Sequence, residues 1–555
     1  MRVHDYNLIG GMQSRRGVLK GAAAIGAAAA MGTAGLSLPA RAAEMSADEK
    51  ALRKQILAIP GVGKVSPTDA DWQKVGELCL GATKAAVKQG EFKGVELTFM
   101  GLNNQNLHNF LFRGFLKPWE AYTGAKISWI DLAQADYNAR LQQSIATKTV
   151  DFDILEMGAP FEGDVCGKGL ASVMPDWVKK QIDIDDYSDY LKPPVGTWDG
   201  KTYRCTIDGD CHNFNYRTDV FADADLAKAW KAAGGKGEWG VPKTWDQVNA
   251  VTKFLKTQKF KGKDVFGYLD PAKGWGGFGF YFLEDRATAY VKHPSDKAWL
   301  FDIDTMKPRV TNPGWVRAIK EAVESLQYEP ADQINADPGT TGFQQFLAGT
   351  GSMITWWGDI GQVAQTADNS VIGDIVGFDI LPGSEDVYNH KAGKWEKLDK
   401  PNFAPNCAYL GWGIYVMARV DSDSKKQKAA WSAAAHLGGK DLSIWNVMYP
   451  SGFQVHRNSH SDIPEWTGAG YKKDYIENYL NSQFGSYNHP NRAVEPRIPG
   501  IFQYYSVAED ELAKAYAGKV DAQGCANNIA AAWEKLTDQL GRENQIKLYK
   551  SSLGI

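Results

Sequence analysis

The stretch MITWWGDIG, Met353 to Gly361, sets two adjacent tryptophans, Trp356 and Trp357, just ahead of Asp359. Each indole N–H needs a partner when buried, so a tandem pair often turns one ring toward a cleft or an interface. The chain carries 19 tryptophans and 12% aromatic residues, more than packing usually requires. An indole face matches the apolar C–H face of a pyranose or a polyol, and this excess points toward stacking on such rings and chains. The competing reading is plain core packing at a strand end.

Other chemistries lack their residue patterns. There is no haem CxxCH, HExxH or iron–sulfur cysteine spacing, so neither a cofactor nor a metal is expected. The six cysteines are Cys79, Cys166, Cys205, Cys211, Cys407 and Cys525. Cys205 and Cys211 bracket Thr-Ile-Asp-Gly-Asp, whose Asp-Gly predicts a tight reversal and a Cys205–Cys211 disulfide.

Ser14-Arg15-Arg16-Gly17-Val18-Leu19-Lys20, a mild Ala/Gly-rich run and Ala40-Arg41-Ala42 have the form of a twin-arginine export signal over residues 1–42. A soluble mature protein in the periplasm is expected. Without those residues the chain has 57 basic against 64 acidic side chains, which offers no footprint for nucleic acid or anionic lipid.

The elements that must position any site follow from periodicity. Residues 43–90 read as a helical extension broken at Pro60-Gly61. Then GVELTFM, KISWIDL and DFDILEM read as strands separated by the helices LHNFLFRGFLKPWEAYTGA and ADYNARLQQSIATKTV. That alternation is the grammar of a parallel sheet, whose ligands bind at the C-terminal strand ends. Further on, SMITWW and IVGFDILPG read as short strands, CAYLGWGIYVMA as a longer one, and 425–437 as a helix. The mature length is too great for one core, so two or more lobes are expected.

Several stretches, at this spacing and in this order, resemble the family 1 extracellular solute-binding proteins, the maltose-binding-protein-like receptors of ABC importers. They are LKPWEAYTGAKISWID, DFDILEM with GLAS, NFNYRTDVF, PKTWDQVNAVTKFL, FLAGTGSMITWWGDI, VGFDILPG, LGWGIYVMA and SGFQVHRNS. The resemblance implies an α/β fold of the class II periplasmic-binding-protein type, with two lobes closing on a ligand. It places the first lobe at 91–208 and 371–410 and the second at 209–370 and 411–555. The chain would cross near Cys205 to Asn213, return near Ser370 and cross again near Gly411.

Carried over position by position, the resemblance implies that Asn103, Asn104, Glu156 and Met157 line the first-lobe side. Asp208 and Asp210 fall at the first crossing, Asp270 and Trp275 in GYLDPAKGWGG, and Trp356, Trp357 and Asp359 at a strand end. Trp412 and Arg457 complete the set. Strand alternation sends the two adjacent tryptophans to opposite faces, which favours Trp357 with Asp359 as the ligand pair. Met157 stands where an aromatic platform would be, so the implied ligand is a sugar or polyol of unspecified kind. The implied partners are the permease subunits of an importer, with the binding protein itself monomeric. The rival reading is an exported carbohydrate-active enzyme using two carboxylates among Asp208, Asp270 and Asp359.

Overall fold

The computed structural model describes residues 69–102, 108–336, 342–367, 369–449 and 452–555. The expected export signal, the first part of the expected helical extension and Asn103 and Asn104 lie outside them.

Strand β1 (Glu96–Leu102) pairs in parallel with β2 (Lys126–Leu132) and β3 (Ile154–Gly158). The helix Asn109–Thr123 joins β1 to β2 and stops at Gly124, whose φ of 77° turns its N–H back to the Glu120 carbonyl at 2.9 Å. A glycine takes that left-handed backbone at no steric cost. The sheet is completed by β4 (Arg204–Thr206), after which β5 (His212–Arg217) opens a second sheet. Two short strands, β6 (Lys259–Phe260) and β7 (Lys263–Asp264), form a hairpin before β8 (Phe266–Tyr268). Strand β9 (Gly351–Trp357) lies between β5 and β8, and β10 (Val376–Asp379) pairs antiparallel with β5 on its other edge.

The ribbon β11 (Ser384–Asn389) and β12 (Lys394–Asn402) follows, then β13 (Asn406–Cys407), β14 (Trp412–Val416) and β15 (Ala493–Val494). Strand β14 inserts between β3 and β4, so the first sheet runs β2-β1-β3-β14-β4 and the second β10-β5-β9-β8. These pairings correct two expectations. Residues 376–379 belong to the second sheet, because the return is not near Ser370, and 412–416 belong to the first. CAYLGWGIYVMA is two strands rather than one, broken where Tyr409, Leu410 and Gly411 all take positive φ (71°, 52° and 81°).

The chain therefore passes between the sheets at residues 207–211, at 408–411 and again around 452–457, after the helices Ser424–Leu437 and Lys440–Met448. The helix Lys473–Tyr487 packs beside β10 and β5. The last helices, Ile501–Tyr516, Ala522–Leu540 and Arg542–Leu553, build on Pro313–Ser325 of the second lobe. Helices Asp69–Gly76 and Leu80–Ala86 are the described part of the extension, and they pack into the first lobe. Gly76 and Gly114 permit this contact: a Cβ on either would fall 2.2 Å from Phe115 O or Trp72 Cβ. The buried Trp72 ring then seats among Phe115, Trp445 and Tyr449.

The expected disulfide is absent. All six cysteines are buried free thiols, because the chain between Cys205 and Cys211 does not reverse. Cys205 lies in the first sheet and Cys211 at the entry to the second, and Gly209 lacks the positive φ of a tight Asp-Gly turn. Burial pushes the Cys407 thiol up to about 12 and the Cys205 and Cys211 thiols in the same direction.

Candidate functional site

The C-terminal end of β3 places Glu156 on one face and Met157 on the other, as strand alternation requires. Met157 is fully buried core, so it is not presented to the cleft. Glu156 is equally buried but bonded: it accepts from Leu102 N at 3.1 Å and pairs with His108 Nδ1, and its carbonyl accepts from Tyr137 OH at 2.6 Å. One residue on, a Cβ at Gly158 would fall 2.2 Å from the Tyr409 ring. Glycine thus lets Tyr409 lie against the strand end.

Asp208, on the first crossing, accepts from Gly209 N at 2.7 Å and from Gln454 N at 2.6 Å. The Gln454 amide donates to Asp210 Oδ1 at 2.5 Å and accepts from Gly358 N at 2.9 Å. Gln454 therefore ties the first crossing, the third crossing and the end of β9 into one knot. Close backbone approach makes it possible: a Cβ on Gly209 would sit 2.3 Å from Val455 O.

Asp359 is half-buried beside this knot and Glu495 is fully buried, accepting from Tyr281 OH at 2.6 Å and Tyr409 N at 2.8 Å. Burial, which disfavours the charged form, pushes Asp208 up to about 6 against its backbone hydrogen bonds. It lifts Asp359 to about 8, with the neighbouring Asp208 adding to the effect, and Glu495 to about 8. Asp210 rises well above the usual carboxylate range through burial and then the charge of Asp208. Among the described residues no group of three His, Cys, Asp or Glu is placed to hold a metal ion.

Aromatic rings run alongside the acids. Trp412, half-buried, lies 5.1 Å from Tyr409 and 5.3 Å from His108. Tyr409 meets Phe278 at 5.2 Å, and Phe278 meets Trp275 at 5.2 Å. Trp357 stands edge-on to His212 at 4.2 Å and to Trp275 at 6.2 Å. Trp356 is packed between Phe343 at 4.9 Å and Phe282 at 5.5 Å, and it also reaches Trp275. Trp275, Phe278, Asp359 and Trp412 keep part of their surface open.

Glu156, Asp208, Asp210, Trp275, Trp356, Trp357, Asp359 and Trp412 thus come together. Asp270 and Arg457 have other engagements. Asp270 faces Arg286 at 3.6 Å, and its N–H donates to Glu329. The fully buried Arg457 donates to the carbonyls of Asp183 and Gly438 and lies 4.4 Å over the Tyr187 ring, which ties two loops. Sequence reasoning missed His108, Tyr137, Phe278, Tyr409, Gln454 and Glu495. Gln454 sits within SGFQVHRNS and Tyr409 just before LGWGIY, so the right stretches were in view with other residues chosen from them.

This architecture can be set against known proteins. A structure from Agrobacterium radiobacter K84, an ABC transporter solute-binding protein in complex with ribitol, aligns at a TM-score of 0.60 and 19% identity, covering 80% of this chain and 99% of that one. One from Agrobacterium vitis S4, with bound D-mannitol, aligns at 0.59 and 18%, covering 81% and 99%. Maltose-bound MalE3 of T. maritima aligns at 0.57 and 14%, covering 80% and 100%. These likenesses show the two-lobed α/β fold. No curated protein matches by sequence. The family model described as bacterial extracellular solute-binding protein matches residues 115–442, more than half of the chain, and the protein belongs to that family.

Proposed function

We propose that the protein is the periplasmic substrate-binding component of an ABC importer, which captures a sugar or polyol between its lobes and delivers it to the permease subunits. The observation that carries this reading is the gathering of Asp208, Asp210 and Asp359 where the chain passes between the sheets, with Tyr409 near Asp210 and joined by ring contacts to Trp412 and, through Phe278, to Trp275 and Trp357. Rings stack on C–H faces and carboxylates accept from hydroxyls. Family membership and the ribitol, D-mannitol and maltose of the similar structures support the same ligand class.

In this reading the segment 1–42 exports the chain by the twin-arginine route and the mature protein works as a monomer. The first lobe takes residues 91–206 and 412–448, and the second takes 212–407 with the C-terminal helices. Ligand contacts from both lobes stabilise the closed form, which the permease recognises. No chemical step is needed, and the acids serve as acceptors.

The test is a thermal-shift screen of the purified protein against sugars, polyols and amino acids, with any hit re-isolated and identified. A ligand at a hundred times its dissociation constant adds about 2.7 kcal/mol of stability, and it should be recovered unmodified. A sugar that is consumed would make the protein an enzyme, and a hit confined to amino acids would move it to another transport class.

A further inference from the structure

The acids of the site are unusual in their company. Asp208 and Asp210 are fully or nearly fully buried, two residues apart and joined through one glutamine. Asp208 Oδ2 and Asp359 Oδ1 are buried atoms with no hydrogen-bond partner. Among the described residues, no lysine or arginine bonds or pairs with Asp208, Asp210 or Asp359. The cationic candidate facing Asp208 is His108, and its Nδ1 is committed to Glu156. Glu495 also lies near Asp210, with its oxygens on Tyr281 and Tyr409.

Carboxylates at such quarters in a water-poor site ionise together only beside a counter-charge, and without one Asp210 and Asp359 hold their protons. A hydroxyl fills a vacant acceptor position but leaves the acids protonated. An ammonium fills the position and supplies the charge, and the Tyr409 ring, near Asp210 and 5.1 Å from Trp412, favours a cation further. A metal ion would also supply charge, but no set of three ligating groups converges among the described residues.

We propose that the site takes a polyhydroxylated ligand carrying an ammonium group, an amino sugar or an amino polyol, with the nitrogen between Asp208, Asp210 and Asp359. This rests on the sugar-or-polyol reading above and narrows it.

The test is titration calorimetry of the purified protein with pairs that differ by one ammonium for one hydroxyl: D-glucosamine against D-glucose, and 1-amino-1-deoxy-D-glucitol against D-glucitol. Ribitol, D-mannitol and maltose are run alongside. At least one amine should bind tenfold or more tighter than its hydroxyl twin. The preference should vanish in Asp208→Asn and in Asp359→Asn, the second serving if the first does not fold. Hydroxyl members that bind as tightly as their amines, or neutral polyols that bind while both amines are silent, overturn the inference and leave the importer reading standing. Silence from every compound overturns both.

Discussion

Trp357 has aromatic neighbours on several sides, with His212, Trp275, Phe278 and Tyr281 all edge-on to it. Such a ring is held in one orientation, which lowers the cost of presenting it to a ligand. Trp357→Ala should therefore weaken sugar or polyol binding by at least tenfold, about 1.4 kcal/mol, in a calorimetric titration. Trp356, clasped by Phe343 and Phe282, is the structural member of the pair. Trp356→Ala should lower the melting temperature more than Trp357→Ala does, and an unchanged affinity in Trp357→Ala would return that ring to the core as well.

At the scale of elements, the second crossing concentrates the geometry. Gly411 has a φ of 81°, and a Cβ there would fall 2.0 Å from the Asp208 carbonyl oxygen. Gly411→Ala adds a left-handed penalty to a clash with backbone, and should cost about 2 kcal/mol or more in urea denaturation. The same crossing marks where the sequence stopped being legible. Periodicity named β1 to β3 and their helices correctly, because each buries its own apolar face next to its chain neighbour. It could not place β10 or β14, whose partners lie far away in sequence: a short apolar run reads alike whichever sheet receives it. The site divides the same way. Trp356, Trp357 and Asp359 stood out by composition, whereas Gln454 matters through two backbone N–H groups and a glycine contact that no side-chain pattern advertises. The expected cysteine bridge failed for a related reason, since Asp-Gly signals a reversal only where strands pair with each other.

For the whole molecule, the buried acids and imidazoles make stability depend on pH. Asp359 and Glu495 titrate near 8 in the folded state, far above the unfolded carboxylate range. Their contribution is fully present below about pH 4 and lost as pH rises through about 8, by up to about 1.4 kcal/mol per pH unit for each group. The buried His436 and His456 are held down to about 4 and about 3 by desolvation. They act in the opposite direction, costing stability only as pH falls below about 6.5. Between pH 6.5 and 8 the imidazoles no longer titrate and Lys292, lowered to about 8 by burial, does not yet oppose the acids, so the ligand-free melting temperature should fall across that window, and Asp359→Asn should flatten the fall. A flat profile for the unmodified protein would show that the two acids titrate normally.

The placement of β14 also bears on how the chain comes together during synthesis. Among the described residues β4 meets the first sheet only through β14, and β14 emerges from the ribosome long after β4 and after the strands of the second sheet. The first lobe therefore waits, with β3 open along one edge and β4 without a strand partner, while most of its neighbour is already available to fold. Such distant pairing closes slowly and leaves strand edges open to aggregation. A chain that must gather its halves in this order gains from chaperones that shield those edges until β14 has entered the sheet.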